Sequence, residues 1–379
     1  MTEWEHAMAR NQRDISFATF NLLNLQHPDA AMYPGGKLYS EQEYQNKIAW
    51  TAAALRLLDA DVIAFQELWS ASALHAAFEK AELGNRYRLV FIKEPNWDGI
   101  AVAAAVREPW QILSKKRHKA FPEGFFLKKR KRSMAGLQAD PPEADLEAPE
   151  EDPETVPSHE DEEIKVKISE FSRSVLQVTI GHSKASDVPP IEVFCTHLKS
   201  KLGTRLDNAE FRNPKIHPHR VALGAALSTI RRTAEATALR IILNETMVGT
   251  DTPVAVLGDL NDGPLSNTLN VLTDQPSYRL RADSWTARAN DDGLYSSVTL
   301  QQFASLSNTL YTHEFKHTRE VIDHCLVSEQ FYDHSDQRRW SFREMKIWND
   351  FIDDKFEASS DHGIVRATFD WNPAAAPGA

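Results

Sequence analysis

Six short apolar runs, each bordered abruptly by amide, acidic or imidazole side chains, constrain this chain more than any other feature. They are FATFNLLNL, with Asn21 and Asn24; VIAFQELW, with Gln66 and Glu67; EVFCTHLKSK, with His197; PVAVLGDLNDGP, with Asp259 and Asn261; VIDHCLVS, with Asp323 and His324; and ASSDHGIV, with Asp361 and His362. Short runs that are apolar on both faces read as buried strands. A buried strand does not tolerate charge unless the charge is paired or bound to a cation. Polar groups that recur at strand ends therefore point to one shared site.

Helical spacing predicts helices over Tyr44–Leu58 and Leu74–Leu83, and a long one from His219 to Glu245. Tyr87–Ile92 and Ile100–Val106 read as paired strands around a Pro-Asn-Trp-Asp-Gly turn, and Ser172–Ile180 as a further strand. Strands apolar on both faces need cover on both sides, which implies a layered α/β sandwich with helices outside. Cys195 and Cys325 sit inside strand-like runs and read as buried thiols rather than a disulfide.

The charge is unevenly spread. Asp140–Glu163 holds twelve acidic residues and no Lys or Arg, which more than accounts for the net charge of −11. Its composition cannot form a core, so residues 133–163 are expected to be a disordered acidic, Pro-rich insertion. Just before it, Lys115–Arg132 holds nine Lys or Arg against one Glu, with Phe121, Phe125 and Phe126 among them. That block, including Lys128, Lys129 and Arg130, suits a nucleic-acid backbone, and equally a basic hairpin neutralised by the acidic stretch. Met1–Asp14 has charges of both signs and no apolar signal region, and nothing approaches the ~18 apolar residues of a membrane span. A cytoplasmic location and no membrane contact follow as expectations; no protein partner can be inferred.

The six motifs in this order, with FSRSVLQVTI between the second and third, resemble the endonuclease/exonuclease/phosphatase superfamily from about Ile15 to Phe369. The resemblance implies an α/β (α+β) four-layered sandwich: two mainly antiparallel or mixed sheets face to face, helices outside. It would form one domain over residues 13–372, with a flexible tail at 373–379. It further implies a phosphodiesterase dependent on Mg²⁺, with Mn²⁺ as the alternative ion. Glu67 would be the first metal ligand, Asn21 would lie near the metal or phosphate, and Asp361 would be a further ligand or support a second ion. Asp259 would orient or deprotonate water, and Asn261 would hold a phosphate oxygen. His197 and His362 would flank the scissile phosphate, with Asp323 fixing the tautomer of His362. Arg173 would contact phosphate, and Glu94 would orient His197.

Elementary chemistry agrees with that picture. A phosphodiester repels hydroxide, so its hydrolysis needs a cation, an oriented water and help for the leaving oxygen. Mg²⁺ prefers oxygen ligands and keeps several waters, so one or two carboxylates suffice. Taken singly, Asp259 reads as readily as a turn residue, Arg173 as a surface ion pair and Glu94 as a solvated loop residue. His313, His317 and His324 lack zinc-ligand spacing and read as solvated or packing residues. The substrate expected first is DNA or RNA, because the IDHCLVS and FSRSVLQVTI forms look most like bacterial nuclease-type members. The alternative is a phosphomonoester, or a lipid or sugar-phosphate diester, at the same centre. If the acidic insertion lies on the basic block and competes with substrate, deleting residues 139–163 should raise nuclease activity at low salt. Unchanged rates at every salt concentration would remove that idea.

Overall fold

In the computed structural model the six apolar runs become strands of two facing sheets. The structure describes residues 11–33, 35–36, 38–92, 99–125, 168–276, 291–306, 311–352 and 358–374. Glu94, Lys128, Lys129, Arg130, the acidic insertion and residues 375–379 of the tail lie outside them. The first sheet contains β1 (Ile15–Leu25), β2 (Val62–Leu68), β3 (Tyr87–Phe91), β4 (Ala101–Arg107), β13 (Trp340–Trp348) and β14 (Ile364–Trp371), in the order β13-β14-β1-β2-β4-β3. The second contains β5 (Trp110–Ala120), β6 (Glu170–His182), β7 (Ile191–His197), β8 (Val254–Asp259), β9 (Tyr295–Ser296) and β12 (Asp323–Val327), in the order β5-β6-β7-β8-β12-β9. A small hairpin, β10 (His313–Phe315) and β11 (Thr318–Glu320), stands apart.

Each sheet holds one parallel pair, β1–β2 and β7–β8, in an otherwise antiparallel arrangement. A parallel pair requires a crossover, and a helix supplies it each time. Helix α1 (Glu41–Leu58) joins β1 to β2, and α4 (Arg220–Met247) lies in the connection from β7 to β8. Helix α1 begins earlier than its apolar spacing suggests because Ser40 and Glu43 form a reciprocal capping box at its start. The remaining helices are α2 (Ala71–Lys80), α3 (Asn208–Arg212), α5 (Asn267–Thr273) and α6 (Ser297–Ala304). None among the described residues is long and apolar enough to cross a membrane.

The core falls into layers. Phe17, Val62, Ala64, Val102 and Ala104 of the first sheet face Val178, Val193, Ala255, Leu257 and Val327 of the second. On the outer side of the first sheet, Phe20 and Phe65 pack with Ile48, Leu55 and Phe78. On the outer side of the second, Phe194, Val256 and Leu326 pack with Leu239, Ile242 and Leu243. The four-layered sandwich is therefore the observed architecture. Both cysteines are buried free thiols, as their strand context implies.

The basic block is partly recast. Residues 110–120 form an edge strand paired antiparallel with β6, the next described strand, with Lys115, Lys116, Arg117 and Lys119 exposed along it, and residues 126–132 of the block lie outside the described residues. Phe331, just after β12, is fully buried and stacks on Trp340 with ring centroids 4.8 Å apart, and it meets Phe17 and Phe369 edge-on. It thereby ties the two sheets together. Phe331→Ala should cost about 3–5 kcal/mol, read as a lowered urea midpoint with an unchanged slope. A loss below about 1 kcal/mol would contradict this packing role.

Candidate active site

The C-terminal ends of the two parallel pairs meet at one end of the sandwich. Beta strands β1 and β2 deliver Asn21 and Glu67, and β7 and β8 deliver His197 and Asp259. The pairing of β1 with β2 shifts register between Asn21 and Leu25, and that of β2 with β4 shifts between Phe65 and Leu68. Glu67 and Asn261 are both non-glycine residues held at positive φ, 57° and 56°. Backbone held in this sparsely populated region costs energy and marks places where the surroundings dictate conformation. Gly258 has a different reason: a Cβ there would lie 2.0 Å from the carbonyl oxygen of Thr196. Only glycine lets β7 and β8 approach closely enough to set His197 beside Asp259.

Side-chain distances draw these residues into one cluster. The Asn21 amide nitrogen donates to Glu67 Oε1 at 3.4 Å and to Asp259 Oδ2 at 3.2 Å, crossing between the sheets. His197 Nε2 lies 3.4 Å from Asp259 Oδ2. The backbone N–H of Asn261 donates to Asp259 Oδ1 at 2.9 Å, and the Asn261 side chain donates to the carbonyl of Leu198 at 3.1 Å. His362 Nδ1 is 2.9 Å from Asp323 Oδ2, and its Nε2 lies 3.9 Å from Asp259 Oδ2. Since a carboxylate only accepts, Nδ1 of His362 carries the hydrogen. Asp361 stands at the mouth with its side chain 53% exposed, 4.0 Å from His362 Nε2. Arg173, on the strand beside His197, donates to the carbonyl of Leu198 at 3.1 Å.

The electrostatics separate the two histidines. Burial pushes His197 well down, and the positive charges of Arg173, His362 and Lys199 add to this. It is a neutral imidazole. Burial alone would also lower His362, but Asp323, Asp259 and Asp361 outweigh it and carry it up to about 10. It is an imidazolium. Burial raises the Asp259 carboxyl to about 7, helped by Asp323 and Glu67. Burial raises Glu67 as well, with Asp361 adding to it against His362 and Arg173. Burial is thus the main reason that both carboxyls hold their protons more tightly than usual. Asp323 Oδ1 is, in addition, buried with no hydrogen-bond partner among the described residues. An oxygen-rich, electron-rich cluster of this kind fits a hard divalent cation.

Among the described residues, two groups of ligand-type atoms lie mutually within 4.8 Å: Asp259, Asp323 and His362, and His313, Asp361 and His362. The second brings in His313, which its spacing in sequence did not recommend. It sits at the root of the β10–β11 hairpin, bridges to His362 through the backbone, and has its ring 4.7 Å from that of His362. Its neighbour Thr312 accepts from the backbone N–H groups of Ile322 and Asp323.

Solved structures share this fold. An endonuclease/exonuclease/phosphatase from Bacteroides vulgatus aligns over 95% of this chain and 99% of its own, at 13% identity and a TM-score of 0.50. The fold is the endonuclease/exonuclease/phosphatase fold. A humanized D. rerio TDP2 aligns over 94% of this chain and 99% of its own, at 12% identity and a TM-score of 0.50. A scan against family models finds no match, and neither does a search of curated proteins.

Within the endonuclease/exonuclease/phosphatase fold, Asn21, Glu67, Arg173, His197, Asp259, Asn261, Asp323, Asp361 and His362 all lie at the same end of the two sheets. His324 is apart: it is buried and its Nε2 bonds the Asp262 carbonyl, a packing role. His317 is fully exposed on the hairpin turn. Lys47 of α1 went unnoticed because a charged residue on a helix reads as solvated. It is buried, donates to the Ser359 carbonyl at 2.9 Å, and burial lowers it to about 8 against the pull of Asp361 and Glu67. Ser360 is a second such residue: it donates to the Asn21 carbonyl and accepts from the His362 N–H, so it seats the last motif on β1.

A cation here favours the ionised forms of Glu67 and Asp259, and burial raises both, Asp259 to about 7, so protons compete as the pH falls. Saturating Mg²⁺ should therefore raise Tm by several degrees at about pH 8 and by much less at about pH 5.5. An equal shift at both, or none, would count against a cation here.

Proposed function

We propose that this chain is a divalent-metal-dependent phosphodiesterase acting on nucleic acid. The observation that carries the reading is the convergence of Glu67, His197, Asp259, Asp323 and His362 from both sheets onto one buried cluster.

Glu67, with Asp361 and the neighbouring Asn21, would hold Mg²⁺ or Mn²⁺; when bound, such an ion neutralises phosphate charge and polarises a phosphoryl oxygen. Asp259 takes the role of base: a carboxylate raised to about 7 accepts a proton from water readily near neutral pH. The hydrogen bonds from Asn21 and the Asn261 backbone aim it. His362, kept charged by Asp323, turns its Nε2–H toward the space beside Asp259 and suits a donor to the developing oxyanion. His197, neutral and buried, offers a hydrogen-bonding edge from the opposite side. Two histidines in contrasting environments thus divide charged and neutral duties. Arg173 brings a guanidinium to the same rim, where a fork of donors matches phosphate.

Support for nucleic acid comes from β5. Register places His118 opposite Val175 and Ala120 opposite Glu170, so Arg117 and Lys119 reach the end of the sheet that bears Arg173. Arg117 Nε donates to Ser174 Oγ at 3.0 Å, next to Arg173. With strands ~4.8 Å apart, this positive line starts about two strands from His197. Such a line suits the neighbouring phosphates of a polynucleotide.

A panel of plasmid, single-stranded DNA, RNA, lipid and sugar phosphoesters tests the reading. Expected are cleavage of nucleic acid with Mg²⁺, its abolition by a chelator, and losses on the order of 10²-fold or more for His197→Ala and Asp259→Ala. Cleavage of lipid or sugar phosphates with nucleic acid intact would select the alternative substrate class. Activity untouched by both substitutions would displace the site.

A further inference from the structure

Beside the metal-facing ends of β1 and β2, three aromatic residues converge on a single asparagine. The Tyr33 hydroxyl and the Trp69 indole N–H both donate to Asn24 Oδ1, at 3.1 and 2.9 Å. The Tyr39 hydroxyl donates to the Asn24 carbonyl at 3.2 Å. Asn24 itself is held at φ 58°, so its side chain is fixed by its surroundings. Tyr33 and Trp69 meet edge to face with ring centroids 5.0 Å apart.

Packing explains Tyr39, which is half-buried, but not Tyr33, which stays 51% exposed. Its ring is braced on one side by Trp69, tethered by its hydroxyl, and open to solvent elsewhere. Its position is set by the site. Asn24 lies three residues beyond Asn21, across the stretch where the pairing of β1 with β2 shifts register, and Trp69 lies two beyond Glu67. The backbone N–H of Trp69 bonds the carbonyl of Leu25, locking the two strand ends together. A braced aromatic ring that is half exposed, beside the strand ends that carry Asn21 and Glu67, suits stacking by a planar base.

We infer that Tyr33, braced by Trp69 and tethered to Asn24, is a stacking subsite for a nucleobase next to the scissile phosphate. The inference deepens the phosphodiesterase reading by naming the recognised part of the substrate. Stacking on an aromatic side chain is tolerant of base identity, so the subsite would favour unpaired strands without selecting sequence.

The test is fluorescence anisotropy in EDTA with two labelled oligomers of equal length, one of thymidine units and one of abasic units. The wild-type chain should bind the thymidine oligomer about tenfold more tightly, and Tyr33→Ala should erase that difference while leaving the abasic oligomer unaffected. Tyr33→Phe, which keeps the ring and loses only the tether, should retain most of the preference. Equal affinity of the wild type for both oligomers, or a preference that survives in Tyr33→Ala, overturns the subsite. Turnover of the same oligomers in Mg²⁺ reads the activity separately. Preference without cleavage would sink the phosphodiesterase reading alone, and cleavage without preference would sink the subsite alone.

Discussion

Three acids, Glu67, Asp259 and Asp323, stand at the junction between two sheets, where water is scarce. Carboxylates in such a place repel one another and lose hydration, and the fold must answer both costs. Part of the answer is the Asp323–His362 pair, whose opposite charges share a 2.9 Å contact. Another part is the Asn21 amide, which reaches acids of both sheets at once. The backbone N–H of Asn261, which donates to Asp259 Oδ1 at 2.9 Å, adds to these. Much of the local structure follows from this constraint: the register shifts in β1 and β2, the left-handed Glu67 and Asn261, and the bare Cα of Gly258 against Thr196.

The same constraint explains why the two histidines differ. His362 lies among Asp323, Asp259 and Asp361, and their charge overcomes the penalty of burial. His197 meets one of those acids but also faces Arg173 and Lys199, so burial prevails. Identical side chains a few ångströms from one carboxylate are thereby held in different protonation states, by neighbours that come from different strands.

Much of this was legible in the chain itself. Apolar runs broken by Asn, Glu, His or Asp mark buried strands with a functional end, and those runs became β1, β2, β7, β8, β12 and β14. Long amphipathic stretches marked α1, α2 and α4 within a few residues. Less visible was whatever depended on partners far away in sequence. The strand Trp110–Ala120 hid in a charged segment, because an edge strand needs no apolar alternation on its solvent side. Lys47 looked solvated, since nothing local reveals the Ser359 carbonyl that receives it. His313 looked incidental, because its proximity to His362 arises from a backbone bridge between segments about 50 residues apart. The extra turn at the start of α1 rests on the Ser40–Glu43 cap, which apolar spacing alone does not register.

The exposed lysines and arginine of β5 have one more consequence. Among the described residues β5 is the outermost strand of its sheet, with no further strand paired along its outer side. Bare rims invite lateral growth, copy upon copy, into fibrils. A second β5 laid alongside would bring like charges within the ~4.8 Å that separates paired strands. Like charges along this rim therefore oppose such pairing between copies of the chain.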